Sequence, residues 1–186
     1  MPSPSDVFVL SAIRATDPAE ALRLAVQESG VKPAKVQDLL FGWDGPETVD
    51  IQKLARQAGL KCPALTLPSS LRALFFAAQS ILCEDAELVL VAGSENGECA
   101  ALLLGSPAAV GVYNLLPLAR IDARSLNGAK AALEKAELAP EDVVELTLKG
   151  TCGAQLAVEL VGALGETQTR WGTLMVDEAV MLIERL

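Results

Sequence analysis

The sequence predicts an α/β fold: two similar βαβαββ-type halves with mixed sheets and a shared helical layer. Three observations lead there. Short runs rich in Val, Leu and Ile alternate with segments of helical spacing along the 186 residues. A stretch near the start recurs, with the same pattern, in the second part of the chain. Hydrophobic residues make up 51% and aromatics only 4%. Mean hydropathy is +0.35, so the core is aliphatic and the chain is long enough to fold without disulfides or metal.

The elements follow in order. Val7 to Ile13 is an apolar run rich in β-formers and reads as a buried strand. Asp17-Pro18-Ala19-Glu20 supplies an N-cap, a proline at the first helical position and an early acid, and Gly30 stops that helix. Val36 to Phe41 reads as a strand, Val49 to Ala58 as a helix, and Ala64 to Leu67 as a third strand. Ser69 to Leu82 is a helix and Glu87 to Ala92 a strand. Gly93-Ser94-Glu95-Asn96-Gly97 is turn chemistry, followed by a strand from Glu98 to Leu104. The 21 residues from Cys99 to Ala119 carry no charge, but Gly105, Pro107, Gly111 and Pro117 interrupt them. They read as strand, loop and strand rather than as a membrane span.

The second part repeats the plan. Leu116 to Ile121 is a predicted strand, Ser125 a cap for a helix to Glu137, and Val143 to Leu148 a strand. Thr151 to Leu164 reads as a helix closed by Gly165, and Trp171 to Val176 and Ala179 to Ile183 as final strands. Set against one another, Pro33 faces Pro140, Val36 faces Val143, Asp38 faces Glu145 and Leu39 faces Leu146, with Ala12 facing Ala119 upstream. The predicted division is residues 1–112 and 113–186.

Composition removes several function classes. There is no histidine, so no Ser-His-Asp triad, Cys-His dyad or His-ligated metal is available, and no metal site is expected. The net charge of −9 and a pI near 4.5 oppose a phosphate-backbone binder, so no nucleic-acid partner is expected. Cys62, Cys83, Cys99 and Cys152 form no C-x-x-C pair. As a set they read as buried thiols of a reducing compartment, with Cys83 and Cys99 in the core and Cys62, in the turn before Pro63, the one open to exposure. The opening Met1-Pro2-Ser3-Pro4-Ser5-Asp6 lacks the basic and apolar regions of a signal peptide, so a cytoplasmic location is expected.

A few residues carry what chemistry there is. Cys152 follows Lys149 near a predicted helix start, where a thiolate is favoured; its plainer role is core filling. Ser69 and Ser70 open a helix after a strand, which fits N-capping and also an anion or oxyanion site. Gly93, Ser94 and Glu95 fit a hairpin turn and, alternatively, a backbone nest for an anion or other ligand. Trp43 and Trp171 read as half-buried packing residues, Trp43 also as a contact for a partner surface.

Six segments in order resemble the thiolase family. Val9-Leu10-Ser11-Ala12-Ile13-Arg14 resembles its opening strand, and Leu54-Ala55-Arg56-Gln57-Ala58-Gly59-Leu60 the helix leading to the nucleophile strand. Leu67 through Ile81 resembles the nucleophile helix, and Val89-Leu90-Val91-Ala92-Gly93-Ser94-Glu95 the glycine-rich turn. Pro117-Leu118-Ala119-Arg120-Ile121 resembles the strand entering the second half, and Ala132 through Gln155 the start of the second domain.

The resemblance implies acyl exchange between coenzyme A and an acyl chain through a cysteine thioester, in two domains of one topology. The sequence departs from that pattern at the chemistry. Leu67, Pro68, Ser69 and Ser70 stand at the family's Cys-x-Ser-Gly, so Leu67 replaces the nucleophile. Lys149-Gly150-Thr151-Cys152-Gly153 stands at the Asn-Glu-Ala-Phe-Ala motif. The Gly-His-Pro loop is missing between Gly165 and Arg170, and the final Cys-x-Gly loop at Val176-Asp177-Glu178. The long insertion that carries much of the family's coenzyme A site is missing, since Gly93 reaches Arg120 in few residues. Losing each acid–base group costs on the order of 10² to 10⁴ in rate, so the reading is a pseudoenzyme with no cofactor of its own.

By the same resemblance, Ala64, Leu65, Thr66, Leu67, Ser69 and Ser70 line a two-fold dimer interface, with a second copy or a thiolase-type subunit as partner. The alternatives are an acyl-CoA-dependent acyltransferase with chemistry moved to Cys152 and Lys149, and a non-covalent binder of acyl-CoA or lipid.

Overall fold

Asp17 shows how local chemistry starts the elements. Its carboxylate accepts from the Glu20 amide at 2.8 Å, Pro18 takes the first helical position, and α1 runs over Pro18–Glu28. The computed structural model describes residues 6–43, 48–95, 97–125, 129–139, 143–147, 158–159, 162, 170–176 and 179–186. The strands are β1 (Val7–Ala15), β2 (Asp38–Gly42), β3 (Ala64–Leu67), β4 (Leu88–Glu95), β5 (Glu98–Gly105), β6 (Ala119–Ser125), β7 (Val143–Thr147), β8 (Trp171–Val176) and β9 (Ala179–Arg185). The helices are α1, α2 (Ile51–Gln57), α3 (Ser70–Leu82), α4 (Pro107–Tyr113) and α5 (Ala129–Ala136). Residues 158–159 and 162 are also helical and fall inside the helix expected over 151–164. None of the described helices is long and apolar enough to cross a membrane.

The described strands form one mixed sheet in the order β3-β2-β4-β5-β1-β6-β9-β8-β7. Read outward from β1, the neighbours are β5, β4 and β2, paired antiparallel, antiparallel and parallel. Read outward from β6, they are β9, β8 and β7 with the same three senses. A bulge lies between Val9 and Ser11 in β1 and another between Ile121 and Ala123 in β6. The seam between the two sets is a short antiparallel ladder of Val7 with Ile121, Phe8 with Arg120 and Val9 with Ala119. A local two-fold axis therefore passes through the Phe8–Arg120 pair. It relates Val7 to Ala119, so the sequence alignment of Ala12 with Ala119 is out of register there. The connecting loops differ in length between the two sets, and no single offset fits every strand.

Alternation along the strands sends side chains to two cores. Val89, Val91, Ala100, Leu102, Leu104, Val7, Val9, Ala119, Ile121, Met181 and Ile183 share one face, covered by Leu71, Leu74, Ala77, Ala78 and Ile81 of α3 and by Val158. This is the shared helical layer, since one cluster runs across the seam. The opposite face buries Phe8, Leu10, Leu39, Phe41, Leu88, Leu90, Ala101 and Leu103 under α1 and α2. On that same side, α5 contributes Leu133 against Leu182. The β1 bulge puts both Leu10 and Ser11 on the α1 side, and Ser11 Oγ donates to Ala25 O at 2.6 Å.

Several expectations need correction. The segment after β5 is not a loop: Ser106 Oγ accepts from the Ala109 amide at 3.1 Å, Pro107 starts α4, and Asn114 ends it at φ 49°. β6 starts at Ala119 and continues through Ser125, so Ser125 belongs to the strand and α5 starts later, at Ala129. Val36 closes a 3-10 turn over Pro33–Lys35, and β2 begins only at Asp38. Cys83 is exposed at the end of α3, where its sulfur accepts from Gln79 Nε2. Cys99 is buried as expected, and Cys62 is half-buried.

Candidate functional site

The strand ends beneath the start of α3 line up in one row. Register pairs Leu67 with Gly42, Gly42 with Gly93, Gly93 with Ala100 and Ala100 with Arg14. Three small residues thus make a low floor, and the first turn of α3 settles onto it. A Cβ at Gly42 would lie 2.1 Å from the Ser70 amide nitrogen and 2.2 Å from its Cα. No side chain fits between these backbones, which is why glycine ends β2. Ser70 is only 3% exposed as a result.

The remaining residues of the row are set by ordinary local chemistry. Ser69 has extended backbone angles and its hydroxyl accepts from the Arg72 amide at 3.2 Å, which caps α3. Leu67 is half-buried, packs its side chain on the shared core, and accepts from the Trp43 amide at 2.9 Å. Trp43 packs partly against the opposite core, as its half-buried reading required. At the far end, Arg14 Nη2 meets Glu98 Oε2 at 2.5 Å and Nη1 meets Glu159 Oε1 at 3.0 Å. The Glu98 hydrogen bond chiefly holds the Arg14 guanidinium in its charged form. This pair of contacts ties the helical residue 159 to the open end of the row.

Gly93, Ser94 and Glu95 are not a turn. They extend β4 and pair with Ala100, Cys99 and Glu98, while Ser94 Oγ donates to Glu98 O at 3.0 Å. Just before Glu98, Gly97 is in a turn with φ 79°. Lys149, Gly150 and Cys152 lie outside the described residues. Cys62 stands apart from the row in the approach to β3, and burial pushes its thiol above the usual range, with Asp38 adding to the effect. Among the described residues of the row there is no thiol, carboxylate or amine between Leu67 and Arg14, only aliphatic and small side chains.

β3 forms one end of the described sheet. Ala64 is buried, Thr66 is exposed, and Leu65 is 60% exposed. Phe76 on α3 is 58% exposed.

No family model matches the chain. The acetyl-CoA acetyltransferase of Cupriavidus necator is 34% identical to it over 88 residues, which span 42% of this chain and 22% of that protein. The fold is similar to human mitochondrial 3-ketoacyl-CoA thiolase in complex with CoA, with a TM-score of 0.82 at 14% identity over 97% of this chain and 98% of that one. It is also similar to the Bacillus anthracis acetyl-CoA acetyltransferase, with a TM-score of 0.79 at 15% identity over 97% and 99%. The chain is thiolase-like in fold, and over those 88 residues it is similar in sequence to an acetyl-CoA acetyltransferase. This thiolase-like chain spans about a fifth of the length of the curated relative in the stretch they share. Gly42 was not singled out as a site residue from sequence. A glycine closing an apolar strand, two strands before a helix cap, was the available signal.

Proposed function

We propose that this thiolase-like protein is non-catalytic and acts by pairing through the β3 edge and the adjoining face of α3, with a second copy of itself as partner. The observation that carries the reading is Leu67. At the position where the resemblance puts the nucleophile, an aliphatic side chain packs onto the core, beside a floor of Gly42, Gly93 and Ala100. No histidine anywhere in the sequence can serve as the partner base. The open edge of β3, with Leu65 and Phe76 exposed beside it, supports pairing. The reading includes two halves divided at residues 112 and 113 and a cytoplasmic location.

Two measurements test it. Incubation with acetyl-CoA followed by intact-mass analysis is expected to show no acyl adduct. An adduct that disappears in Cys152→Ala would replace this reading with chemistry at Cys152. Native mass spectrometry is expected to show a dimer that Leu65→Lys dissociates, and a strict monomer would overturn the pairing.

A further inference from the structure

At the seam, five charged side chains from four segments meet on the α1 side of the sheet. Arg120 on β6 donates from Nε to Glu184 Oε2 at 2.8 Å, and its Nη2 reaches the same oxygen at 2.5 Å. Its Nη1 donates to Asp6 Oδ1, just ahead of β1, at 3.1 Å, and Nη2 also lies 3.0 Å from Asp122 Oδ1. The second oxygen of Glu184 on β9 faces Arg170, which lies over the Trp171 ring with 5.5 Å to its centroid. Glu184 is 1% exposed. On helix α5, which packs on β6 and β9, Lys130 and Glu134 pair with each other at the surface.

Arg120 sits on the local two-fold axis opposite Phe8, so the cluster spans the only ladder described between the two sets of strands. Three carboxylates share two guanidinium groups. Glu184 and Asp6 hold Arg120 from the two sides of the seam. Asp122, two residues beyond Arg120 and therefore on the same face of β6, shares Arg120 Nη2 with Glu184 and is the surplus acid. We propose that the cluster is a proton-controlled joint: Glu184 and Asp6 lock Arg120 across the seam, and Asp122 weakens that lock while it is charged.

Burial chiefly pushes the Asp122 carboxyl above the ordinary range; Arg120 opposes this, and Glu184 and Asp6 reinforce it. A carboxyl raised on folding costs stability in its charged form. That cost is full above the folded value and is relieved as pH falls through it. The seam therefore tightens as Asp122 takes up its proton.

Hydrogen exchange tests this, read as protection factors for the Leu118 amide, which donates to Val9 O at 2.8 Å, and for the β1–β6 ladder. In the unaltered chain, seam protection is expected to rise as pH falls through the Asp122 titration. In Asp122→Asn it is expected to be several-fold higher at neutral pH and to lose that rise. Glu184→Gln is expected to lower seam protection several-fold while α1 is unchanged. Asp122→Asn decides alone if Glu184→Gln does not fold. Unchanged or weaker seam protection in Asp122→Asn, or a flat profile in the unaltered chain, would overturn the proposal.

Discussion

Gly42 is where one atom decides the geometry. Its missing Cβ lets the α3 backbone touch the end of β2. Gly42→Ala forces backbone apart and is expected to destabilise the fold by about 1–3 kcal/mol or more, read from urea denaturation. Asp38 is a milder case. Burial raises its carboxyl, so its charged form costs stability at neutral pH. Asp38→Asn is expected to raise Tm at pH 7, and the gain to vanish as pH falls through the Asp38 titration. The thiols separate by exposure: under native conditions a thiol reagent is expected to modify Cys83 first and Cys99 only on unfolding. The place of Leu67 at the end of β3 was legible in the sequence, because a short apolar run stops there at Pro68 and a helix cap. The role of Gly42 was not, since it depends on where α3 crosses a strand nearly thirty residues earlier. Cys83 was misjudged because its apolar neighbours are buried while the helix ends beneath it.

The elements were legible wherever a cap stood in front of a periodic run. Asp17 and Ser69 announce α1 and α3, and both helices start there. α4 uses the same grammar, Ser106 followed by Pro107, but an uncharged run with Gly111 and Pro117 around it reads as interrupted chain. Ser106→Ala is expected to cost about 1 kcal/mol by removing that cap, with the loss of helix seen as faster amide exchange at Ala109. Strand β6 was placed too early because Leu116 and Leu118 are apolar, yet Leu116 is 89% exposed and lies ahead of the ladder. Apolar patterning suggests a strand at both positions; only pairing decides where one begins.

At the scale of the molecule, the repeat was visible in sequence as pattern and inexact as register. The true correspondence appears in pairings between residues more than a hundred positions apart, such as Phe8 with Arg120, which no local signal encodes. The same holds for Arg120 and Glu184, brought together only when β6 lies beside β9. The order of the strands also has a consequence for the chain as it is made. Of the described strands β1 emerges before the others but lies at the centre of their sheet, and its main partner β5 comes only at Glu98–Gly105. Until then Val7 to Leu10 has no ladder to join and both its edges stand open. Such long-range closure is slow and leaves a sticky strand waiting. A nascent chain stopped before β5 is therefore expected to need a chaperone, and release only after Gly105 to yield protease-resistant protein.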